Sequence, residues 1–246
     1  MKIFKTFESF LEEGVNDPGI LKAFFMAGGP GSGKSYVAGE LFALPKSEDY
    51  GTVSYDNGLK LVNSDKNFEI LLKKANIDMA ELMDLKDKMP DEWQKAMQIR
   101  NRAKRMTQNM QDMYIQGKLG MIIDGTGKNY KKIEGQVERL RGLGYDCYMV
   151  FVNTSLEVAQ ERNADRPRKL PKDMVTKMWD EVQQNLGKFQ RLFKAKRFEI
   201  VDNSKYGDST PIDLVSKEIR KFMKQPVSNP IGKQWMADQK LNRNNG

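Results

Sequence analysis

The sequence predicts an α/β protein of three layers, a five-stranded parallel sheet flanked by helices, with an added N-terminal helix and a mobile C-terminal tail. Two observations carry that expectation. Five short apolar runs (residues 23–27, 59–62, 121–123, 147–152 and 198–201) recur along the chain, and stretches with helical periodicity separate them. Runs this short and apolar fit strands buried on both faces, and strands alternating with helices build a parallel sheet between helical layers. The length of 246 residues, with 39% hydrophobic and 30% charged residues, suits one folded domain with appendages.

In chain order, Ile3, Phe4, Phe7, Phe10 and Leu11 fall at helical spacing, so residues 2–13 read as an amphipathic helix ending near Gly14. Asn16-Asp17-Pro18-Gly19 is a turn. The first strand runs into a glycine-rich turn and a helix over 35–44, stopped by Pro45. A loop over 46–58 leads to the second strand and a helix over 66–74. The long helix over 92–117 carries Ala96, Ile99, Ala103, Met106, Met110 and Met113 at steps of three and four, a stripe that reads as core. Arg100, Arg102, Lys104 and Arg105 decorate its other, solvated faces.

After the third strand come a helix over 130–143, the fourth strand, a helix over 156–163 and a basic, proline-broken loop over 165–171. A helix over 173–194, the fifth strand and a last helix over 211–224 complete the domain, placed at 20–224 between a leader, 1–19, and a basic tail, 225–246. The tail shows little periodicity, and Trp235 is its one candidate for docking.

Composition removes several function classes. There is no histidine, which excludes His-based triads and most zinc sites and leaves carboxylates as proton acceptors. The single cysteine, Cys147, cannot form an internal disulfide; within a strand it reads as buried packing in a reducing, cytoplasmic setting. No apolar stretch approaches the ~20 residues of a membrane span. The start, MKIFKTFESFLEEG, lacks the continuous apolar segment of a secretory signal. Of the net charge of +8, most belongs to the end: residues 217–246 hold seven Lys/Arg against two Asp/Glu. That end reads as solubilising, with nucleic-acid contact the less favoured use of it.

Residues 28–35 read GGPGSGKS and match G-x-x-x-x-G-K-[ST], with Gly28, Gly33, Lys34 and Ser35 at the fixed positions. Successive backbone N–H groups must wrap closely around phosphate oxygens, and a Cβ obstructs that approach. The helix that follows aims its N-terminal dipole at the same anion. Lys34 supplies a point charge at the β- and γ-phosphates, and Ser35 a hydroxyl for Mg²⁺. Gly29, Gly31, Ser32 and Tyr36 complete the expected nucleotide contacts.

Three uses of such a loop compete. A GTP switch carries Asn/Thr-Lys-x-Asp after a later strand; here the fourth ends in Asn153-Thr154-Ser155 and the fifth in Asp202-Asn203-Ser204. A motor or hydrolase follows its apolar strand with Asp-Glu, where this chain has Asp124-Gly125. The kinase reading remains. Asp65, at the end of the second strand, is placed to orient an acceptor hydroxyl or to cap the helix after it, and position alone does not separate the two. Arg162, Arg166 and Arg168 follow the fourth strand, where a lid can cover a transferred phosphoryl group; the alternative is an ordinary basic loop.

With these features in this order, residues 22–224 resemble the zeta-toxin family of P-loop kinases and the related polynucleotide-kinase and adenylate-kinase-like folds. The matching stretches are residues 28–35, Val62-Asn63-Ser64-Asp65-Lys66-Asn67-Phe68, Ile122-Ile123-Asp124-Gly125-Thr126, the arginines Arg162 with Arg166 or Arg168, and Ile200-Val201-Asp202-Asn203-Ser204. The resemblance implies transfer of the γ-phosphoryl of ATP, with Mg²⁺, to a hydroxyl of a small or nucleotide-like acceptor such as a nucleotide sugar. By it, Asp65 receives the hydroxyl proton, Asp124, Thr126 and Arg168 meet the acceptor, Asp124 joins Ser35 at the metal, and Asn203 touches the base. The chain departs from the pattern at Gly127-Lys128, where relatives often carry an arginine.

The first 13 residues are similar to capsid-targeting leaders of internal head proteins in large tailed phages, and Leu11-Glu12-Glu13 fits their Leu-x-Glu cleavage pattern. A packed amphipathic helix is the favoured reading of the same residues, and packaging in a virion the other. Two competitors stand beside the kinase: a 5′-hydroxyl polynucleotide kinase, and a nucleotide-dependent assembly factor with weak ATPase activity. The latter would meet a protein partner through the N-terminal helix or the tail.

Overall fold

The structure is a computed structural model, and it describes residues 16–44, 58–79, 82, 88–166 and 169–244. The leader helix, its cleavage pattern, the 46–57 part of the expected loop and Arg168 lie outside the described residues.

Five strands form one wholly parallel sheet: β1 (Lys22–Ala27), β2 (Lys60–Val62), β3 (Met121–Asp124), β4 (Asp146–Asn153) and β5 (Phe198–Asp202), in the order β2-β3-β1-β4-β5. Among the described residues, eight α-helices accompany them: α1 (Lys34–Phe42), α2 (Ser64–Lys74), α3 (Pro90–Gln116), α4 (Tyr130–Gly142), α5 (Leu156–Ala164), α6 (Lys172–Phe193), α7 (Thr210–Lys224) and α8 (Pro230–Asn244). No helix among the described residues is long and apolar enough to cross a membrane.

The strands alternate strictly between two cores. Phe24 and Met26 of β1 point to the layer where Val37, Leu41 and Phe42 of α1 meet Ile212, Val215, Ile219 and Phe222 of α7. Ala23, Phe25 and Ala27 point to the other layer, among Val137 and Leu140 of α4 and Val182, Phe189 and Phe193 of α6. Burial on both faces is why these strands read as continuous apolar runs. Cys147 of β4 lies in the second core, and burial pushes its thiol up to about 12. A third cluster joins α2 to α3 through Phe68, Leu72, Ala96 and Ala103, outside the two main layers.

Two expectations change. The core stripe of α3 does not follow its methionines to the end: Met113 is exposed, and Thr107, Gln111 and Ile115 are buried instead. The helix leaves α2 for the sheet along its length, so its buried face turns. The tail is not free either. Residues 230–244 form α8, with Trp235 and Met236 against the core. Asn229 caps it by accepting from Ile231 N (3.0 Å), and Pro230 supplies the fixed φ suited to a first helical residue. Ser228 and Asn229 fasten the segment to Asp146, and Gly232 lies so close to Gly144 that a Cβ would stand 2.3 Å from its carbonyl oxygen.

Candidate active site

In a parallel sheet the C-terminal strand ends share one edge, and the chain's polar motifs collect there. The loop after β1 carries residues 28–33, with Gly31 and Gly33 at φ of 75° and 76°. Its glycines answer to neighbouring protein as well as to any ligand. A Cβ on Gly31 would stand 2.2 Å from the Ala159 carbonyl oxygen of α5, and one on Gly33 2.2 Å from Asn203 Nδ2. One on Gly29 has room, meeting only Trp179 Cα at 3.8 Å.

Helix α1 starts at Lys34 without a side-chain cap, whereas α2, α4 and α5 are capped by Asn63, Asn129 and Ser155. The first N–H groups of α1 therefore have no side-chain acceptor and sit at the loop with the positive end of the helix dipole. Ser35 and Tyr36 are exposed on its first turn.

Lys34 Nζ pairs with Asp124 Oδ1 at the end of β3, and Asn63 Nδ2 donates to Asp124 Oδ2 at 2.6 Å. The ends of β2 and β3 are thereby tied to the loop. Met26 O accepts from Gly125 N (3.2 Å) and Thr126 O from Gly28 N (3.1 Å), so the Asp124–Gly127 loop lies along the nucleotide loop's entrance. Thr126 is half-buried there.

Asn63, not Asp65, caps α2: its Oδ1 accepts from Asp65 N (2.8 Å) and Lys66 N (3.1 Å). The capping alternative for Asp65 is therefore removed. Asp65 points outward and accepts from Arg100 of α3 at 3.1 Å. Arg100, expected on a solvated face, is its partner, and it also stacks over Phe68 with its carbon 5.0 Å from the ring centre.

Arg162, in the last turn of α5, comes to the loop. Its Nη1 stands 3.5 Å from where a Cβ on Gly33 would be, and this nitrogen is buried without a hydrogen-bond partner, as is Ser32 Oγ. The guanidinium carbon lies 4.7 Å from the centre of the Tyr206 ring. Arg166 is exposed at the start of the basic loop. The buried amide of Asn163 straddles that loop, donating to Leu170 O (2.8 Å) and accepting from Leu170 N (3.1 Å).

Asn203, implied by the resemblance to touch the base, reaches the nucleotide loop. It is buried, its Nδ2 donating to Ser32 O at 2.8 Å and its N to Asn153 O at 2.9 Å, so it braces the nucleotide loop from below. Helix α6 braces the site from the other side: Trp179 Nε1 donates to Thr154 O (2.9 Å), and Gln183 Nε2 to Asn153 Oδ1 (2.7 Å). These polar positions on an otherwise apolar helix face were the signal in the sequence that went unread.

The residues fit a nucleoside triphosphate. An uncapped helix start, Lys34, and two buried polar atoms without partners, Ser32 Oγ and Arg162 Nη1, converge on one loop. They also fit Mg²⁺, which keeps several waters and takes one or two protein oxygens beside phosphates; Ser35 and Asp124 offer these. Among the described residues no group of three or more Asp, Glu, His or Cys could hold a metal by itself.

Comparison with curated proteins found no match by sequence. Among solved structures, a chain of the AvrRxo1-ORF1:AvrRxo1-ORF2 complex with sulphate ions is similar over 81% of this chain, at 13% identity and a TM-score of 0.56. This chain spans 60% of that one. The PezAT toxin–antitoxin system of Streptococcus pneumoniae matches 89% of this chain and 96% of its own at 11% identity (TM-score 0.48), and shikimate kinase from Bacteroides thetaiotaomicron 83% and 99% at 13% (TM-score 0.42). The likeness to the AvrRxo1 complex chain is one of fold, a three-layer α/β architecture with a parallel sheet between helices. A family model described as an AAA domain (AAA_33) matches residues 24–189, well over half of the sequence, and the chain belongs to that family.

Proposed function

We propose that the protein is a Mg²⁺-dependent kinase that moves the γ-phosphoryl group of ATP to a hydroxyl of a small or nucleotide-like acceptor. One observation carries the reading: an arginine from another element, Arg162, holds a buried, unpartnered nitrogen beside Gly33 of the nucleotide loop. A loop that only bound a nucleotide would not need a second cation there. Phosphoryl transfer does, because charge spreads over the moving group's oxygens.

In this reading the loop N–H groups and Lys34 hold the phosphates, and binding draws Lys34 away from Asp124. Bound at Ser35 and Asp124, Mg²⁺ would neutralise phosphate charge. Asp65 takes the proton of the acceptor hydroxyl as its oxygen bonds to the γ-phosphorus, and the bond from that phosphorus to the bridging oxygen breaks to leave ADP. Arg162, joined by Arg166 or Arg168 from the loop, covers the group in transit, and Thr126 borders the acceptor.

The test is transfer from γ-labelled ATP to a panel of nucleotide sugars, nucleosides, nucleoside monophosphates and 5′-hydroxyl oligonucleotides. Lys34→Ala should abolish both ATP binding and transfer, and Asp65→Asn transfer alone. Label released only as free phosphate, whatever the acceptor and with Asp65→Asn fully active, would overturn the assignment.

A further inference from the structure

The strongest feature outside the nucleotide loop adjoins it. A cleft of about 590 Å³ opens between the start of α4 and the middle of α6, lined by Lys128, Tyr130, Lys131, Glu181, Asn185 and Lys188. It begins where the Asp124–Gly127 loop ends, and that loop is flush against β1: a Cβ on Gly127, at φ 82°, would stand 2.8 Å from Ala27 Cβ.

The cleft is built rather than incidental. Asn185 is 5% exposed, and its amide donates to both the Gly127 carbonyl (3.0 Å) and the Lys128 carbonyl (2.9 Å), fixing the backbone that carries Lys128. Its remaining atom, Oδ1, accepts from Lys188 Nζ at 3.1 Å. That ammonium group also lies 5.8 Å from the centre of the Tyr130 ring. Lys131 is paired with Glu134 at 2.7 Å, but among the described residues neither Lys128 nor Lys188 has a carboxylate within ion-pair distance. Three lysines therefore meet two carboxylates, Glu181 and Glu134, the second already engaged by Lys131 and by the Tyr130 hydroxyl (2.8 Å), at the point where α4 adds the positive end of its dipole. Cations concentrated in this way attract an anion, and ammonium groups suit phosphate or carboxylate oxygens as point charges.

We infer that this cleft seats an anionic group of the acceptor, a phosphate or a carboxylate, while the acceptor's hydroxyl reaches the Asp65–Asp124 edge. The inference rests on the kinase reading for the identity of the ligand as acceptor, but not for the binding of the anion.

The experiment uses the full chain with Mg²⁺ and a non-hydrolysable ATP analogue, and compares matched polyols: phosphorylated, carboxylated and neutral on the same carbon skeleton. Lysine acetylation read by mass spectrometry should show Lys128 and Lys188 protected by the anionic members only; the phosphate and carboxylate arms tell which anion is meant. With γ-labelled ATP, the same members should be the preferred acceptors. Lys128→Gln and Lys188→Gln should each reduce that preference about tenfold through KM, an effect of the size expected for one charge-assisted contact. Lysine protection without transfer to any hydroxyl would uphold the anion seat and defeat the kinase reading. Transfer to neutral acceptors with both lysines unprotected would keep the kinase and overturn the seat, as would equal protection by neutral and anionic members.

Discussion

Lysine–aspartate pairs stand at both edges of the sheet, and they differ in what surrounds them. At the N-terminal edge, Lys60 of β2 meets Asp17 at 2.6 Å with both side chains about 1% exposed. On the other side of β3, Lys22 of β1 meets Asp146 at 3.2 Å, and Asp146 also accepts from Ser228 N, Ser228 Oγ and Asn229 N and pairs with Arg197. At the C-terminal edge, Lys34 meets Asp124 beside buried polar atoms that have no partner. The lower pairs are closed networks whose strength lies in staying made. On the proposed reading, phosphate would take Lys34 and Mg²⁺ Asp124, so a ligand would divide the upper pair. Identical residue types would then serve cohesion below and exchange above, according to whether every surrounding donor and acceptor is satisfied.

Substitutions can break that contrast. Lys34→Met should lower transfer by about 10³-fold or more, in the range seen when a preorganised charge is lost, with only a small fall in Tm. Lys60→Met should do the reverse. It leaves Asp17 buried without its cation, which costs about 3–5 kcal/mol of stability in such pairs, while the turnover of the surviving folded protein stays near normal. A larger loss of stability from Lys34→Met than from Lys60→Met, by urea unfolding, would erase the distinction.

Acid should sharpen the contrast. Burial pushes Asp146 up, but the hydrogen bonds from Ser228 and the charges of Lys22 and Arg197 outweigh it and hold the carboxyl below the usual aspartate range. With the folded value below the unfolded one, the contribution of Asp146 is complete above about pH 4 and disappears as pH falls from there through the folded value. The urea midpoint of Asp146→Asn should therefore lie lower at neutral pH and depend less on pH below 4. Parallel curves for the two proteins would refute this. The smallest effect is expected at Arg100→Gln: its pair with Asp65 is exposed and should contribute less than about 1 kcal/mol to stability, so any marked change in the acceptor KM would report positioning of Asp65 instead.

Much of the fold was legible because the strands are buried on both faces and the helices on one, which leaves two distinct periodicities in the sequence. The nucleotide loop was legible because its geometry needs glycines at fixed spacing. What could not be read were partners distant in the chain: Arg100 for Asp65, Asn203 for Ser32, and Ser228 for Asp146 are set by how elements cross, and no local pattern encodes a crossing. Helix α8 was missed for another reason. Its Asn229-Pro230 start is a cap signal, but the two prolines and glycine around it read as breakers, and its apolar residues are too few for a stripe; docking onto Asp146 and Gly144 supplies what periodicity lacks.

Cys147 gives the molecule a clock. The sequence has one thiol, placed in the central part of the sheet beside β1, 2% exposed and held protonated well above neutral pH. A thiol in that state cannot react with a labelling reagent until the core between the sheet and the layer of α4 and α6 opens. The rate at which the native protein consumes such a reagent therefore counts openings of that core, one event at a time, without any engineered probe.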